Sequence, residues 1–147
     1  MLSVQSSFNL EQFVKTQEPV YAQVLQELRA GRKQSHWMWF IFPQPVGLGD
    51  SLMARQYAIP SLFAARDYLT HPLLGKRLVE CTRLVNRVDE RSALAVFGSP
   101  DDLKFHSSMT LFDRVHPGTC FREALDGFFY GKGSARTLEI MNKERWA

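Results

Sequence analysis

The sequence predicts an all-α fold, a compact single-domain bundle of about seven to nine short helices. Apolar residues recur at helical spacing along most of the chain, and capping residues, prolines and glycines end each run after a few turns. Almost no segment shows the period-two alternation that is typical of strands. The length of 147 residues is that of one domain. We therefore expect residues 1–147 to fold as a single unit.

The boundaries of the predicted helices follow from their caps and breakers. Asn9 is a suitable N-cap, Pro19 divides the apolar run after it into two helices, and Gly31 should end the second helix. Further helices are predicted over residues 51–58, 61–70, 72–88, 92–97, 99–115, 119–130 and 134–143. The helix that begins at Ser99 has the strongest start signal, since a serine cap precedes Pro100 and two acidic residues.

The pattern of the segment from Ser35 to Gln44 is ambiguous. Its uninterrupted apolar run, Trp37 to Phe42, fits either a buried strand or a buried helix of two turns. Because the rest of the chain offers no partner strand, we interpret the segment as a helix with Ser35 as its N-cap.

The composition indicates an ordinary soluble protein, with 45% hydrophobic and 22% charged residues. The longest apolar run is far shorter than the roughly 20 residues of a membrane-spanning helix, and residues 1–9 do not resemble a secretory signal. We expect a cytoplasmic protein without a membrane partner, in which Cys81 and Cys120 are buried thiols. A net charge of +3, spread along the chain, favours anionic ligands but does not predict a nucleic-acid groove.

The motifs of common cofactors and metals do not match. Gly47-Leu48-Gly49 lacks the third glycine of a dinucleotide fingerprint, and the segment from Gly127 to Gly133 has the wrong spacing for a phosphate-binding loop. The histidines show none of the spacings typical of metal ligands. We therefore predict no cofactor and no metal site.

Polar residues on the apolar face of the helix after Ser99 are the first candidates for a site. Asp101, Lys104 and Ser108 share an arc with Phe105 and its apolar neighbours. In one interpretation they are structural, with Asp101 stabilised by the helix dipole, Lys104 reaching solvent and Ser108 bonding to the backbone. In the other they line a pocket, where Lys104 binds an anion, Ser108 donates a hydrogen bond and Asp101 orients Lys104 or acts as a base.

The aromatic segment is the second candidate. Trp37 and Trp39 fit a packed core, but they lie beside Arg32 and His36, and Gln44 follows them. Indole rings next to cationic side chains also suit a stacked base with its phosphate, and a glutamine amide can recognise the edge of a base.

These two segments resemble those of the bacterial family DUF1810, a domain of unknown function that is sometimes labelled calpastatin. The resemblance rests on the block RAGRKQSHWMWFIFPQ at residues 29–44 and the block FGSPDDLKFHSSMTLF at residues 97–112. It implies a compact all-helical single domain and no settled activity, with a distant kinship to domains that process ADP-ribose derivatives. The matching positions in the two hallmark blocks are His36, Trp37, Trp39, Pro43, Gln44, Asp101, Asp102, Lys104, Ser107, Ser108 and Thr110.

Three functional hypotheses remain open from the sequence. In the first, the two blocks face each other across a pocket for a phosphate-bearing, nucleotide-like molecule, and Asp101, Asp102 and Ser108 support hydrolysis of an ADP-ribose-type N-glycosidic bond. In the second, the chain is a noncatalytic interaction module, and a basic surface at Arg29, Arg32 and Lys33 binds an acidic partner. In the third, the blocks only specify packing. The sequence leaves the oligomeric state open.

Overall fold

The computed structural model describes residues 8–89, 92–143 and Trp146, and these residues form ten α-helices and no strand. The helices are α1 (Leu10–Gln17), α2 (Tyr21–Arg29), α3 (Met38–Ile41), α4 (Leu52–Gln56), α5 (Leu62–Thr70), α6 (Leu74–Asn86), α7 (Ala93–Phe97), α8 (Asp101–Val115), α9 (Cys120–Phe129) and α10 (Ala135–Met141). The all-α prediction is confirmed, with one helix more than the upper end of the predicted range. None of the helices in the described part of the chain is long and apolar enough to cross a membrane.

Helices α8 and α6 form the centre of the bundle. Helix α8 packs against α3, α5, α7, α9 and α10, and its residues from Ser107 to Phe112 are all buried. Helix α6 packs against α2, α3, α5 and α9. A helix that is buried on every side must be covered by several neighbours, and the short helices around α8 supply that cover. Both cysteines are free thiols buried in this core, as predicted.

Most of the predicted helix caps are confirmed. The side-chain oxygen of each confirmed cap accepts a hydrogen bond from a backbone N–H in the first turn of its helix. The confirmed caps are Asn9, Ser51, Ser61, Ser92 and Ser134.

Two predicted caps are wrong. Helix α3 begins at Met38, because the Ser35 hydroxyl donates to a buried carboxylate rather than accepting from a helix N–H. Helix α8 begins at Asp101 rather than after Ser99, and the carbonyl of Gly98 accepts from the N–H of Asp102.

The start of α6 is set by a histidine and a glycine. Residue 72 was the predicted first residue, but the helix begins at Leu74, because Nδ1 of His71 accepts hydrogen bonds from the N–H groups of Leu73 and Leu74. In the first turn, Gly75 lies directly against the backbone of α5. A Cβ atom at Gly75 would lie 1.9 Å from the carbonyl oxygen of Leu69, a distance at which the two helices must separate.

We predict that Gly75→Ala destabilises the protein although alanine is the better helix former. Alanine gains about 1 kcal/mol of helix propensity over glycine, but the overlap with Leu69 should outweigh it and leave a net loss of about 1–3 kcal/mol. Urea unfolding measures the difference. The matched control is Gly127→Ala in α9, where an added Cβ meets no atom within 4 Å and stability should rise. Equal effects at both sites would contradict the close approach of α5 and α6.

A buried carboxylate fixes the chain between α2 and α3. Glu27 is only 4% exposed, and its oxygens accept hydrogen bonds from the N–H groups of Gln34 (2.7 Å) and Ser35 (3.0 Å). They also accept from the Ser35 hydroxyl (2.5 Å), the Gln23 amide (2.9 Å) and Nε1 of Trp37 (3.0 Å). A buried charge is stable only when such donors replace water. This network therefore holds residues 34–37 against the end of α2.

The same network makes stability depend on pH. Burial by itself raises the pKa of Glu27, but hydrogen bonds from Ser35, Gln34 and Gln23 outweigh it and lower the pKa to about 2. This value lies below the ordinary pKa of about 4.3 for a glutamate. The ionised form thus stabilises the native state fully above about pH 5, and the contribution is lost as the pH falls towards 2.

We predict that Glu27→Gln removes this part of the acid sensitivity. The wild-type chain should lose on the order of 3 kcal/mol through this group between about pH 5 and pH 2. The variant should be less stable at neutral pH and should show a shallower decline in acid, measured by urea unfolding at several pH values. The control is Glu139→Gln at an exposed position of α10. An unchanged pH profile in Glu27→Gln would refute the assignment.

Candidate functional site

A cavity of about 410 Å³ lies between the chain around α3, the start of α8 and the start of α10. Trp39 and Gln44 line it from the first hallmark block, and Lys104 lines it from the second. The two blocks therefore face each other across a cavity, an arrangement that the first hypothesis requires. Further polar lining comes from His106, Ser107, Ser134 and Arg136.

Lys104 is held between an aromatic ring and a carboxylate. Its Nζ lies 4.3 Å from the centroid of the Trp39 ring and 3.2 Å from Oδ1 of Asp101. The other oxygen of Asp101, Oδ2, lies 2.8 Å from Nζ of Lys33. Asp101 thus contacts a cation through each oxygen, in the first helical turn, where the dipole favours a negative charge. The geometry agrees with the role in which Asp101 orients Lys104.

Lys33 connects this ion pair to the buried carboxylate of Glu27. The Lys33 side chain is only 7% exposed, and its Nζ donates to the backbone oxygen of Ser35 at 2.6 Å. Because the hydroxyl of Ser35 donates to Glu27, a continuous series of polar contacts runs from α2 to the wall of the cavity. Lys33 is therefore a structural cation and not part of an open basic surface.

Hydroxyl groups attach α10 to α8 on the other side of the cavity. The Ser107 and Thr137 hydroxyl oxygens lie 2.6 Å apart, and the N–H of Ser134 donates to Oγ1 of Thr110 at 2.9 Å. These contacts place Arg136, in the first turn of α10, beside the cavity. Arg136 is exposed and forms no ion pair with any residue that the structure describes.

The His106 ring is held by one hydrogen bond and one stacking contact. Its Nε2 lies 2.7 Å from the carbonyl oxygen of Lys132, and because a carbonyl only accepts, Nε2 carries the hydrogen. The ring also stacks on Phe129, with centroids 3.8 Å apart and planes 1° from parallel.

Comparison with known proteins agrees with this combination of fold and blocks. The family described as a protein of unknown function (DUF1810) matches residues 7–141. The chain belongs to the DUF1810 family. It is also similar to the crystal structure of the conserved hypothetical protein Rv1873 from Mycobacterium tuberculosis, with 52% sequence identity and a TM-score of 0.88. That match covers 90% of this chain and 96% of Rv1873. No curated protein matches the sequence.

Several predicted site residues of this DUF1810 chain lie outside the cavity lining. Trp37 is 1% exposed, and its indole N–H donates to Glu27. Ser108 is fully buried, and its Oγ has no hydrogen-bond partner among the described residues. Asp102 is half-buried, and its buried Oδ1 accepts no hydrogen bond from any residue that the structure describes. Arg32 and His36 are exposed. The cavity thus brings together Trp39, Gln44 and Lys104, with Asp101 directly behind Lys104.

Four polar lining residues were not among the site residues that the sequence predicted. Ser107 rather than Ser108 follows Lys104 on the cavity side of α8, although a step of three and a step of four are equally plausible from the pattern. His106 lies in the same block and could have been found as a polar residue beside the lysine. Ser134 and Arg136 carried no local signal, since only the packing of α10 on α8 brings them to the cavity.

Metal ligands, thiols and other grooves are alternatives to the cavity at Trp39 as candidate sites. Among the residues described, no group of three or more His, Cys, Asp or Glu side chains is placed to hold a metal ion. Burial raises the pKa of the Cys81 thiol to about 12, so this thiol stays protonated and unreactive. A larger groove of about 720 Å³ lies along α6 but is less enclosed than the cavity at Trp39.

We predict that Asp101 and Lys104 contribute differently to stability. Asp101→Asn leaves the ammonium of Lys33, which is 7% exposed, without its carboxylate, and should cost about 2 kcal/mol in urea unfolding. Lys104→Ala removes a more exposed partner, because this side chain is 22% exposed, and should cost less than about 1 kcal/mol. If the two variants lose equal stability, the pair with Lys33 does not hold the start of α8.

Proposed function

We propose that this DUF1810 protein binds a small, phosphate-bearing, nucleotide-like molecule in the cavity between Trp39 and α8. The observation that carries the proposal is the position of the Lys104 ammonium, 4.3 Å from the Trp39 ring at the cavity wall. A cation and an aromatic surface at one place suit a ligand that carries both a phosphate and a planar base. The volume of about 410 Å³ falls within the range of about 300–1,000 Å³ that is usual for small-molecule pockets.

The charges at the cavity favour an anion. Lys104 and Arg136 line it, and no carboxylate of a described residue does. Asp101 neutralises part of the charge on Lys104, but Arg136 forms no ion pair with a described residue. A phosphate that bridges the two side chains would gain charge-assisted hydrogen bonds from both. Ser134 and His106 lie at the same wall and offer further polar contacts.

The aromatic wall supplies the second half of the recognition. Trp39 is half-buried and lines the cavity, and the Lys104 ammonium lies over its ring. A base would therefore stack on the ring surface that Lys104 leaves uncovered. Stacking on such a ring contributes about 1–3 kcal/mol of binding free energy, whichever base the ligand carries. Gln44 lies on the same side, and its amide can donate to and accept from a base edge.

The proposed location is the cytoplasm. Together with the buried free thiols, such a ligand suits a protein that acts in the cytoplasm.

The geometry favours binding over hydrolysis. Cleavage of an N-glycosidic bond requires a carboxylate that reaches the sugar or its attacking water. Asp101 has both oxygens on lysines, and Asp102 does not line the cavity. The proposal is therefore a binding domain without turnover.

Calorimetric titration with ADP-ribose, NAD, ATP and adenosine tests the proposal. We expect at least one phosphate-bearing compound to bind, and adenosine to bind more weakly or not at all. Lys104→Ala and Arg136→Ala should each weaken binding by roughly tenfold, the usual effect of losing a charge-assisted contact. The matched control is Arg114→Ala, an exposed cation at the other end of α8, which should leave the affinity unchanged.

Two outcomes would change the conclusion. If none of the compounds binds at millimolar concentration, or if Lys104→Ala binds as the wild type does, the cavity is not the site. If NAD or ADP-ribose is cleaved by the wild-type chain and not by Asp101→Asn, the protein is a hydrolase, and the ion pairs of Asp101 open during the reaction.

A further inference from the structure

A second, basic groove follows one face of α6. Its volume is about 720 Å³, and a neighbouring hollow of about 410 Å³ shares Arg29, Leu84 and Arg87 with it. The residues that α6 and its C-cap contribute include Lys76, Val79, Glu80, Arg83, Leu84 and Arg87. Their spacing of three and four is that of a single helical face. At 1.5 Å per residue the face is roughly 16 Å long, which is too long for one phosphate group.

The groove combines unpaired cations with an aliphatic floor. Arg29, Lys76, Arg83 and Arg87 are exposed and form no ion pair with a described residue. The floor between them consists of half-buried aliphatic side chains. These floor residues are Leu69, Val79, Leu84 and Val88. None of the groove residues lines the cavity at Trp39, so the groove can act independently of the ligand proposed there.

We propose that this groove binds an acidic, amphipathic segment of a partner protein. Carboxylates of the segment pair with the arginines, and apolar side chains at helical spacing contact the aliphatic floor, as in helix-in-groove recognition. The neighbouring hollow also holds the carboxylate of the exposed Asp89. Glu80 is the one acidic side chain that α6 itself contributes, and the hydroxyl of Tyr21 donates to it at 2.6 Å. It fixes the direction of the segment by accepting from a single basic residue.

A protein partner fits this groove better than a nucleic acid. Single-stranded nucleic acids stack their bases on aromatic side chains, and no aromatic side chain apart from the exposed His116 ring lines the described part of the groove. The carboxylate of Glu80 would also repel a phosphodiester backbone that follows α6. The charge of the groove is therefore complementary to acidic residues carried on an apolar helix.

The location differs from the basic surface that the sequence suggested. Of Arg29, Arg32 and Lys33, only Arg29 lines the groove. Lys33 is paired with Asp101, and Arg32 is exposed elsewhere. The other cations come from α6, where their helical spacing is visible in the sequence but their common groove with Arg29 is not.

Fluorescence anisotropy with labelled probes tests the proposal. The first probe is a helical peptide with glutamates on one face and leucines on the other; the second has the same composition in scrambled order, and the third is single-stranded DNA of similar length. We expect the amphipathic peptide to bind best. The variant Arg83→Glu with Arg87→Glu should weaken it by roughly tenfold or more. The matched control is Lys15→Glu with Arg66→Glu, at exposed helical positions outside both grooves.

Each alternative result overturns the proposal in a distinct way. Equal binding of the ordered and scrambled peptides would show attraction to charge alone. Equal loss in both double variants would show that the site is not this groove. Tighter binding of DNA would assign the groove to nucleic acid. If the peptide does not bind at concentrations up to about 1 mM, the weak end of specific association, the groove does not bind an acidic segment.

Discussion

The carboxylate of Glu27 is the constraint on which the arrangement of this DUF1810 protein depends. An ionised side chain that is 4% exposed has to recover the hydrogen bonds that it lost from water. Residues 34–37 turn back onto the end of α2 and supply these bonds. Two backbone N–H groups, a hydroxyl and an indole N–H donate to the two oxygens of this one carboxylate. The placement of Trp37 in the core and of α3 beyond it follows from this single requirement.

The same constraint reaches the candidate ligand cavity through ion pairs. Lys33 immediately precedes the residues that Glu27 binds. Its N–H donates to the carbonyl of Val96, and its ammonium contacts Asp101. Asp101 in turn holds Lys104 beside Trp39. The hallmark blocks therefore contain two kinds of residue. Those near Glu27 set the backbone, whereas Trp39, Gln44 and Lys104 meet the cavity. Only two positions in the sequence separate the buried Trp37 from Trp39, which lines the cavity.

The sequence predicted the local features of this fold better than the contacts between its elements. Helix ends at Asn9, Ser61 and Gly98 were readable because capping geometry is local. The cap at Ser35 was wrong because its hydroxyl donates to Glu27. The cap at Ser99 was wrong because the carbonyl of Gly98 accepts from the N–H of Asp102. Trp39, Gln44 and Lys104 were found as cavity residues from their chemistry. Glu27 and Arg136 were not, since only tertiary packing buries the first and brings the second beside the cavity.

The walls that α8 and α10 contribute to the cavity differ in how much structure must move with them. Helix α8 is surrounded by α3, α5, α7, α9 and α10, so displacing it would disrupt the whole core. Helix α10 has only seven residues, and its described polar attachments to α8 are concentrated in the hydroxyl contacts of Ser107 and Thr110. Local opening favours elements with few packing partners, and α10 packs against fewer helices than α8 does. For the proposed ligand, α8 would therefore keep Lys104 fixed, whereas a displacement of α10 would move Arg136.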